Sequence, residues 1–285
     1  MKTNENSASK HLSFEVFPPK KEGDFEGAYK IVSDLAKLEP EFISVTYGAG
    51  GSMSKKTIDI ASYIQNELNV QAIAHMTCVG STKEDIDKLC SELETHNIYN
   101  VLALRGDRPK DMSDEQYNNR EFIYATDLIA RLKEKTGLKL LGACYPEKHF
   151  EAASIEEDIA HMKEKQDMGV EAFITQLFFD NDIFYQFREY TDKIGITVPI
   201  HAGIMPVTSA KQINTSISLS GSSVPKKLTD IIAKYGNSPV DMYKAGIDYA
   251  IKQIMDLQKN GVDGVHIYTM NKPDIARQIV EACQE

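Results

Sequence analysis

Short, nearly continuous apolar runs alternate with longer segments of helical periodicity along almost the whole chain. Eight runs are predicted as strands, at 12–17, 42–46, 72–76, 101–104, 138–144, 172–177, 198–203 and 264–268. Runs that are apolar at almost every position are typical of parallel strands covered on both faces. A β–α unit repeated eight times can form either an open, doubly wound sheet or a closed barrel. The count of eight favours a single-domain (β/α)8 TIM barrel across residues 1–285.

The segment after the third run illustrates the helix predictions. Ser81 followed by Glu84 matches a capping box, the side-chain pattern that begins a helix. Ile86, Leu89, Cys90 and Leu93 then recur at helical spacing, which predicts one buried stripe.

Two segments depart from the repeat. The first ten residues are polar and predicted to be flexible. Residues 216–239 are predicted as a loop with a short helix before the long helix that precedes the last strand. In a barrel this insertion would lie at the C-terminal ends of the strands, where it either covers the active site or is a surface excursion without a role.

Composition narrows the function classes. The chain is 42% hydrophobic and 26% charged, and no apolar run approaches the roughly 20 residues of a membrane span. No secretory signal pattern opens it, so we expect a soluble, cytoplasmic protein. A formal charge of −10 argues against general nucleic-acid binding. The four cysteines are far apart, without a C-x-x-C pair, and are expected to be reduced thiols.

Polar residues at the strand ends carry the candidate chemistry, because the loops after the strands build the active site of this architecture. Glu15 lies in the first run, among large apolar residues and before two prolines. Its carboxylate either points outward as an ordinary alternating position, or points inward. Inside, desolvation would raise its pKa and suit it to acid catalysis.

Three further strand ends are candidates, each with a simpler alternative. The glycine-rich end of run two, after Thr46, allows a ligand close to the backbone or is only a tight turn. It is not G-x-G-x-x-G, so the Rossmann fingerprint is absent. Run four is followed by Arg105, Gly106 and Asp107. These residues form either a charged site for a ligand or an ordinary surface turn. Gln176 offers an amide to a heterocycle or satisfies neighbouring backbone.

Histidines in three different runs raise the possibility of a metal site: His75, His201 and His266. Neither an H-x-H pair in run one nor an H-E-x-x-H motif occurs, so histidines that are buried or hydrogen-bonded are the favoured interpretation and no metal is predicted.

Six short motifs taken together resemble the methylenetetrahydrofolate reductase family in order and in spacing. They are 14–19 (FEVFPP), 44–49 (SVTYGA), 103–107 (ALRGD), 145–147 (YPE), 174–180 (ITQLFFD) and 203–207 (GIMPV). The likeness extends to 268–271 (YTMN) and is to the catalytic domain alone, as in bacterial members. It implies a barrel that binds FAD, accepts electrons from NADH or NADPH and reduces methylenetetrahydrofolate in one-carbon metabolism and methionine biosynthesis. Family precedent favours a homo-oligomer.

The resemblance also implies roles for individual residues. Glu15 matches the family's general acid, and Asp107 falls where a carboxylate lies near both flavin and folate. The flavin-contacting positions are matched by Thr46, Ala49, His75, Arg105, Gly106, Asp107, Ala125, Tyr145, His149, Ala152, Asp158 and Lys165. The folate-contacting positions are matched by Gln176, Gln212 and Lys272, and Gln176 is shared with the nicotinamide.

Three positions depart from the family pattern. Lys272 stands where bacterial relatives carry arginine, which predicts a monodentate contact to the folate glutamate. His161 and Glu164 stand where an amide and an arginine are familiar around the FAD tail. Contacts to the tail of the cofactor are therefore less well defined by the sequence than contacts to its ring.

The implied mechanism is ping-pong, since one site serves both substrates in turn. Two other functions remain open on the sequence. A metal-dependent hydrolase or an aldolase could use the same barrel, since fold does not fix function. A non-catalytic flavin- or pterin-binding subunit would need the binding residues but neither Glu15 nor Gln176.

Overall fold

A computed structural model describes residues 11–19, 25–47, 55–135 and 137–284, and within them eight parallel strands close into a barrel in sequence order. The strands are β1 (Leu12–Val16), β2 (Phe42–Val45), β3 (Gln71–Thr77), β4 (Asn100–Leu104), β5 (Lys139–Cys144), β6 (Val170–Thr175), β7 (Ile200–Ile204) and β8 (Gly264–Tyr268). The predicted fold is confirmed, and each predicted run overlaps one observed strand. Two predictions concern residues that the structure does not describe: the flexible first ten residues and the flavin-contacting Ala49.

Helices follow every strand and form the outer layer. They are α1 (Phe25–Ala36), α2 (Lys55–Ser62), α3 (Lys83–Thr95), α4 (Asp114–Asn118), α5 (Ala125–Lys135), α6 (Ile155–Asp167), α7 (Asn181–Lys193), α8 (Ala210–Ser220), α9 (Lys226–Tyr235), α10 (Pro239–Lys259) and α11 (Pro273–Gln284). A π-helical turn, Tyr63–Glu67, extends α2.

The capping box of α3 was predicted one residue too early. Thr82, not Ser81, is the N-cap, and its hydroxyl accepts a hydrogen bond from the Asp85 backbone N–H. The Asp85 carboxylate accepts one in return from the Thr82 N–H, a role that the prediction gave to Glu84. The shift has a physical reason: an Asp side chain at the third helical position closes the same reciprocal pair as the Glu of the usual pattern.

The insertion at 216–239 contains more helix than predicted. Its first residues complete α8, α9 follows, and its last residue begins α10. Its turn is fastened to the ends of two strands: the Ser222 hydroxyl donates to the Leu177 carbonyl at 2.6 Å, and the Ser223 N–H donates to the Glu147 carboxylate at 2.9 Å. The insertion therefore lies at the C-terminal end of the barrel, as expected.

Alternation along the strands separates two apolar clusters. Leu12, Phe14 and Val16 of β1 belong to the large core between strands and helices. A smaller cluster, centred on Phe42, Leu102 and Ile174, belongs to the opposite face of its strands, which is the inside of the barrel. The residues that alternate with the outward positions of β1 are Ser13 and Glu15, so the interior is polar on that side.

The first and last strands are joined by side-chain contacts at the C-terminal rim. The Asn271 amide accepts from the Phe17 N–H at 2.8 Å and donates to the Phe17 carbonyl at 2.9 Å. The Thr269 hydroxyl donates to the Glu15 carbonyl at 2.7 Å. These bonds fix the backbone of β1 at the level of Glu15, and they hold the candidate acid in place.

Candidate active site

Glu15 points into the barrel, which decides between the two orientations left open by the sequence. The residue is only 9% exposed. Its Oε2 lies 3.6 Å from His75 Nε2 on β3 and 3.9 Å from His266 Nε2 on β8. Two imidazoles from strands on either side of β1 and β2 therefore face the same carboxyl oxygen.

Burial shifts the pKa of each of the three groups in the direction that favours its uncharged form. Burial raises the pKa of Glu15 above its usual value, and the nearby His75 offsets this only in part. Burial lowers the pKa of His75 to about 4 and that of His266 to about 3. A neutral imidazole cannot stabilise a carboxylate as an imidazolium would, so Glu15 keeps its proton at higher pH than an exposed glutamate.

Hydroxyl groups hold the His266 ring. Its Nδ1 lies 2.8 Å from Ser13 Oγ, and its Nε2 lies 3.3 Å from Ser44 Oγ. Both nitrogens of this histidine therefore have partners, as the sequence interpretation favoured. By contrast, His75 Nε2 and His201 Nδ1 are buried without a hydrogen-bond partner in the described structure. An unpartnered Nε2 beside the carboxyl leaves His75 a free position for a polar group of a ligand.

Tyr268 and Thr175 complete the interior next to Glu15. The Tyr268 hydroxyl donates to the Thr175 carbonyl at 2.7 Å, and the Thr175 hydroxyl accepts from the Gly203 N–H at 2.8 Å. A Cβ at Gly203 would lie 2.4 Å from the Thr175 carbonyl oxygen and 2.8 Å from the Tyr268 ring. The glycine of the GIMPV motif is thus required for this close packing.

Two cavities, of about 640 and 470 Å³, adjoin at the ends of β4 and β5. Both are lined by Leu104, Arg105, Tyr145 and His149, so they form one cleft with two parts. The larger part, called here the inner cavity, reaches His75 and so lies beside Glu15. The smaller part, the outer cavity, extends along α5 and α6.

The structure brings the predicted cofactor-binding residues to this cleft. Thr46, His75, Gly106 and Asp107 line the inner cavity, Ala125, Ala152, Asp158 and Lys165 line the outer one, and Arg105, Tyr145 and His149 line both. The remaining residue of that set is Ala49, which is outside the described residues. Their convergence agrees with one binding site, while their individual roles stay predictions.

The loop after β5 is built around Asp158 of α6. The Asp158 carboxylate accepts from the His149 N–H at 2.8 Å, and Lys148 adopts a left-handed conformation with φ of 62°. The His149 ring packs edge-on against the Tyr145 ring, with 4.8 Å between the ring centroids. These contacts place the Tyr145 and His149 side chains on the wall between the two cavities.

Cations and anions share the outer cavity. Lys165 Nζ donates to the Ala143 carbonyl at 3.2 Å, and burial lowers its pKa although Asp158 acts in the opposite direction. Arg105 pairs with Glu151 through both guanidinium Nη atoms. Two of the three departures from the family pattern line the same cavity, where His161 Nδ1 lies 3.5 Å from Glu164 Oε2.

The three predicted folate-binding residues differ in what they contact. Gln212 lies in the first turn of α8, and its side chain contacts the preceding loop, where it accepts from the Thr208 N–H at 3.0 Å and donates to the Pro206 carbonyl at 3.0 Å. Gln176 Oε1 accepts from the Leu177 N–H at 2.9 Å. Lys272 is exposed on the loop that follows β8. All three lie at the C-terminal end of the barrel, and none lines the two cavities described above.

Sequence reasoning missed several residues of the site. It gave no role to Ser13, Ser44 or Tyr268, and it overlooked the pair between Glu151 and Arg105. One signal was available: Ser13 and Glu15, and likewise His266 and Tyr268, are polar at alternate positions of otherwise apolar strands. Such alternation places polar groups on the inner face of a barrel.

The cleft fits a flavin dinucleotide. Its two parts, of about 470 and 640 Å³, each have the volume of a pocket for a drug-sized ligand, which is roughly 300–1,000 Å³. The unpartnered His75 Nε2 and the backbone at Gly106, where φ is 85°, suit a ring in the inner cavity. In the outer cavity, the arginine and lysine side chains that could face a diphosphate are Arg105 and Lys165.

Among the described residues there is neither a cluster suited to a metal ion nor a helix that could span a membrane. No group of three His, Cys, Asp or Glu side chains there is arranged to hold a metal ion. Within the same ranges, no helix has the length and apolar character needed to cross a membrane.

Comparison with known proteins shows similarity to methylenetetrahydrofolate reductases along almost the whole chain. Residues 1–284 match the family model described as methylenetetrahydrofolate reductase. The 5,10-methylenetetrahydrofolate reductase of Pectobacterium carotovorum is 32% identical over 269 residues, which cover 94% of this chain and 88% of the relative. Methylenetetrahydrofolate reductase (NADH) 1 of Arabidopsis thaliana is 33% identical over 271 residues, but this chain spans only 46% of its length.

A solved structure supports the architecture independently. An uncharacterized protein from Clostridium thermocellum that binds two copies of 5-methyl-5,6,7,8-tetrahydrofolic acid superposes with a TM-score of 0.62. The match covers 96% of this chain and 94% of that one at 16% identity, so it concerns the fold alone.

Proposed function

The chain belongs to the methylenetetrahydrofolate reductase family, and from that membership we infer that it reduces methylenetetrahydrofolate to methyltetrahydrofolate. We propose further that the electrons come from NADH or NADPH through a bound FAD. The observation that carries this proposal is the convergence of Glu15, His75 and the residues of the β4–β5 cleft at one end of the barrel.

The cofactor would be held by the cleft. The inner cavity, with His75, Gly106 and Asp107, would surround the flavin ring, and Arg105 and Lys165 would face the diphosphate. Bound there, FAD would supply hydride transfer between the two substrates, which the protein itself cannot perform.

Glu15 would act as the general acid. Its raised pKa keeps a proton available, and transfer of that proton to the bridging nitrogen of methylenetetrahydrofolate opens the five-membered ring to an iminium cation. The cation then accepts a hydride, so one proton and one hydride are added in total. Glu15 is left as a carboxylate and must regain one proton in each cycle.

Asp107 would stabilise the cation. It lies at the rim of the inner cavity, where a negative charge favours the iminium over the neutral substrate. Gln176, Gln212 and Lys272 would bind the folate from the opposite side of the barrel mouth. Gln212, in the first turn of α8, would also shape the preceding loop through its contacts to Thr208 and Pro206.

Two properties of the protein stay proposals of the same kind. A homo-oligomeric state is implied by the family resemblance, and a cytoplasmic location was expected from the sequence.

Spectroscopy of the purified protein tests the proposal. A flavin absorption spectrum is expected, with bleaching on anaerobic addition of NADH or NADPH, and recovery of the oxidised spectrum on addition of methylenetetrahydrofolate. Stopped-flow traces with each donor separately identify the preferred one. A colourless protein that binds no added FAD would instead support a hydrolase or an aldolase, and bound flavin without turnover would support a non-catalytic binding subunit.

A further inference from the structure

Arg105 occupies a special place in the cleft. Four side chains line both the inner and the outer cavity, and Arg105 is the one among them that carries a permanent positive charge. An anionic group that extends from one cavity to the other would therefore pass this guanidinium.

In the structure that guanidinium already has an anion. Nη1 and Nη2 of Arg105 donate to the two carboxylate oxygens of Glu151, the second at 3.0 Å, in a bidentate arrangement. This ion pair shifts the pKa of both residues. The hydrogen bond with Arg105 lowers the pKa of Glu151, and the same bond raises the pKa of Arg105. A phosphate binds an arginine with the same fork geometry, so it and Glu151 require the same N–H groups.

The charges around the pair disfavour a second anion. The outer cavity is lined by four carboxylates, from Glu151, Glu157, Asp158 and Glu164, whereas its arginine and lysine side chains are Arg105 and Lys165. A diphosphate would enter a region whose formal charge is already negative. Withdrawal of one carboxylate from the cationic centre would relieve both the competition and part of the repulsion.

The two partners differ in their freedom to move. The Glu151 side chain is 45% exposed on the loop that joins β5 to α6, so it can rotate into water. The Arg105 side chain is 16% exposed, and its Nε donates to the Gly106 carbonyl at 3.4 Å. Because water solvates a freed carboxylate well, exchange of partners at Arg105 costs little when Glu151 is the group that leaves.

We propose that Glu151 is an internal competitor for the anion site at Arg105, displaced when the diphosphate of a dinucleotide cofactor binds. The inference rests on the proposed function, in that it assigns FAD to this cleft. Glu151 then sets the affinity for the phosphate part of the cofactor without contributing to the affinity for the ring. Removal of its charge should tighten the binding of anionic ligands that contact Arg105.

Binding measurements on protein stripped of flavin test the proposal. Dissociation constants are measured for FAD, for ADP and for uncharged riboflavin, by flavin fluorescence or by calorimetry. Glu151→Gln is compared with Glu164→Gln, which removes the same charge from the same cavity but from a residue paired with His161. For Glu151→Gln we expect a severalfold to about tenfold fall in Kd for FAD and ADP, where tenfold equals about 1.4 kcal/mol.

The comparisons separate the alternatives. For Glu164→Gln a smaller gain is expected, and for riboflavin no change in either variant. Weaker binding of FAD and ADP to Glu151→Gln would overturn the proposal, because it would mean that Glu151 orients Arg105 in the bound state. Equal gains in both variants would also overturn it, since they would reflect general charge alone. If the unaltered protein binds no FAD, the proposed function fails first, and that result is distinct from both.

Discussion

Beneath Glu15 the barrel holds its polar groups buried and uncharged, whereas the cleft along β4, β5 and α6 holds charged groups that remain partly open to water. In the interior, His266 is fixed by Ser13 and Ser44, and burial keeps its pKa far below the usual value. In the cleft, Arg105 and Glu151 form an ion pair at the surface. The contrast suggests a division of labour in which the interior controls proton transfer and the cleft controls binding.

This division can be tested region by region, because substitutions in the two parts should affect different measurements. Interior substitutions should change rates, pH profiles or stability while flavin remains bound. Cleft substitutions should change the affinity for the cofactor or the stabilisation of charge at its edge.

Glu15→Gln should have the largest effect. Loss of a general acid typically costs about 10²–10⁴-fold in rate, so we expect a loss of that order in the folate half-reaction. Reduction of the flavin by the nicotinamide should continue, since it needs no acid. Stopped-flow measurement of the two half-reactions checks this, and survival of both would show that Glu15 is not the acid.

Stability provides the control for that variant. Because the pKa of Glu15 is raised in the folded state, its ionisation destabilises the fold, and this cost appears as the pH rises through the raised pKa. Glu15→Gln should therefore be at least as stable as the parent at neutral and alkaline pH in urea unfolding. For the same reason, the folate half-reaction of the parent should slow as the pH rises through that pKa.

Gly203→Ala tests the packing of the interior. The new Cβ would meet the Thr175 carbonyl oxygen at 2.4 Å and the ring of Tyr268 at 2.8 Å. Overpacking of this kind costs about 1–3 kcal/mol of unfolding free energy, measured by urea titration. Gly137→Ala, where nothing lies within 4 Å of the added atom, is the matched control and should change stability little. Equal stability of the two variants would mean that the interior near Glu15 is loosely packed.

Asp107→Asn should affect the chemistry from the cleft side. Asp107 is exposed, so water screens its charge, and we expect a loss on the order of 10- to 100-fold in the folate half-reaction, below the full value of a buried electrostatic contact. The nicotinamide half-reaction should change less, because it forms no iminium cation. Equal slowing of both half-reactions would indicate a structural role for Asp107.

Lys165→Arg should have the smallest effect and a distinctive pH dependence. Burial lowers the pKa of Lys165, so its charge is lost at lower pH than that of an exposed lysine. Affinity of the parent for FAD should therefore fall as the pH rises through this lowered pKa, by up to about tenfold. The arginine variant stays charged and should lose this alkaline fall. An identical pH profile for the two proteins would exclude Lys165 from phosphate binding.

The sequence predicted the barrel well because strands buried on both faces leave a strong apolar signal. All eight runs were found, and the ends differ from the observed strands by at most two residues. The error at the α3 cap was also local, since Ser81 and Thr82 are adjacent residues with equivalent hydroxyls.

The arrangement of the site was harder to predict because it depends on register. Ser13 meets His266 only because the two residues pair directly across β1 and β8, and sequence periodicity does not reveal which residues stand opposite. The pair of Arg105 and Glu151 joins two loops whose conformations have no periodic signal. The resemblance to a family supplied candidate residues, but it did not predict the contacts of Gln212 to the loop before α8.

The contacts of Asn271 with Phe17 have a consequence for folding of the chain during its synthesis on the ribosome. They join residues 254 positions apart, so the first strand lacks its neighbour on one side until the last strand has left the ribosome. Until β8 has been synthesised, an apolar strand with an open edge must be kept from pairing with other chains. Closure of the barrel thus requires β8, and a ribosome that stalls before Asn271 would leave a product prone to aggregation.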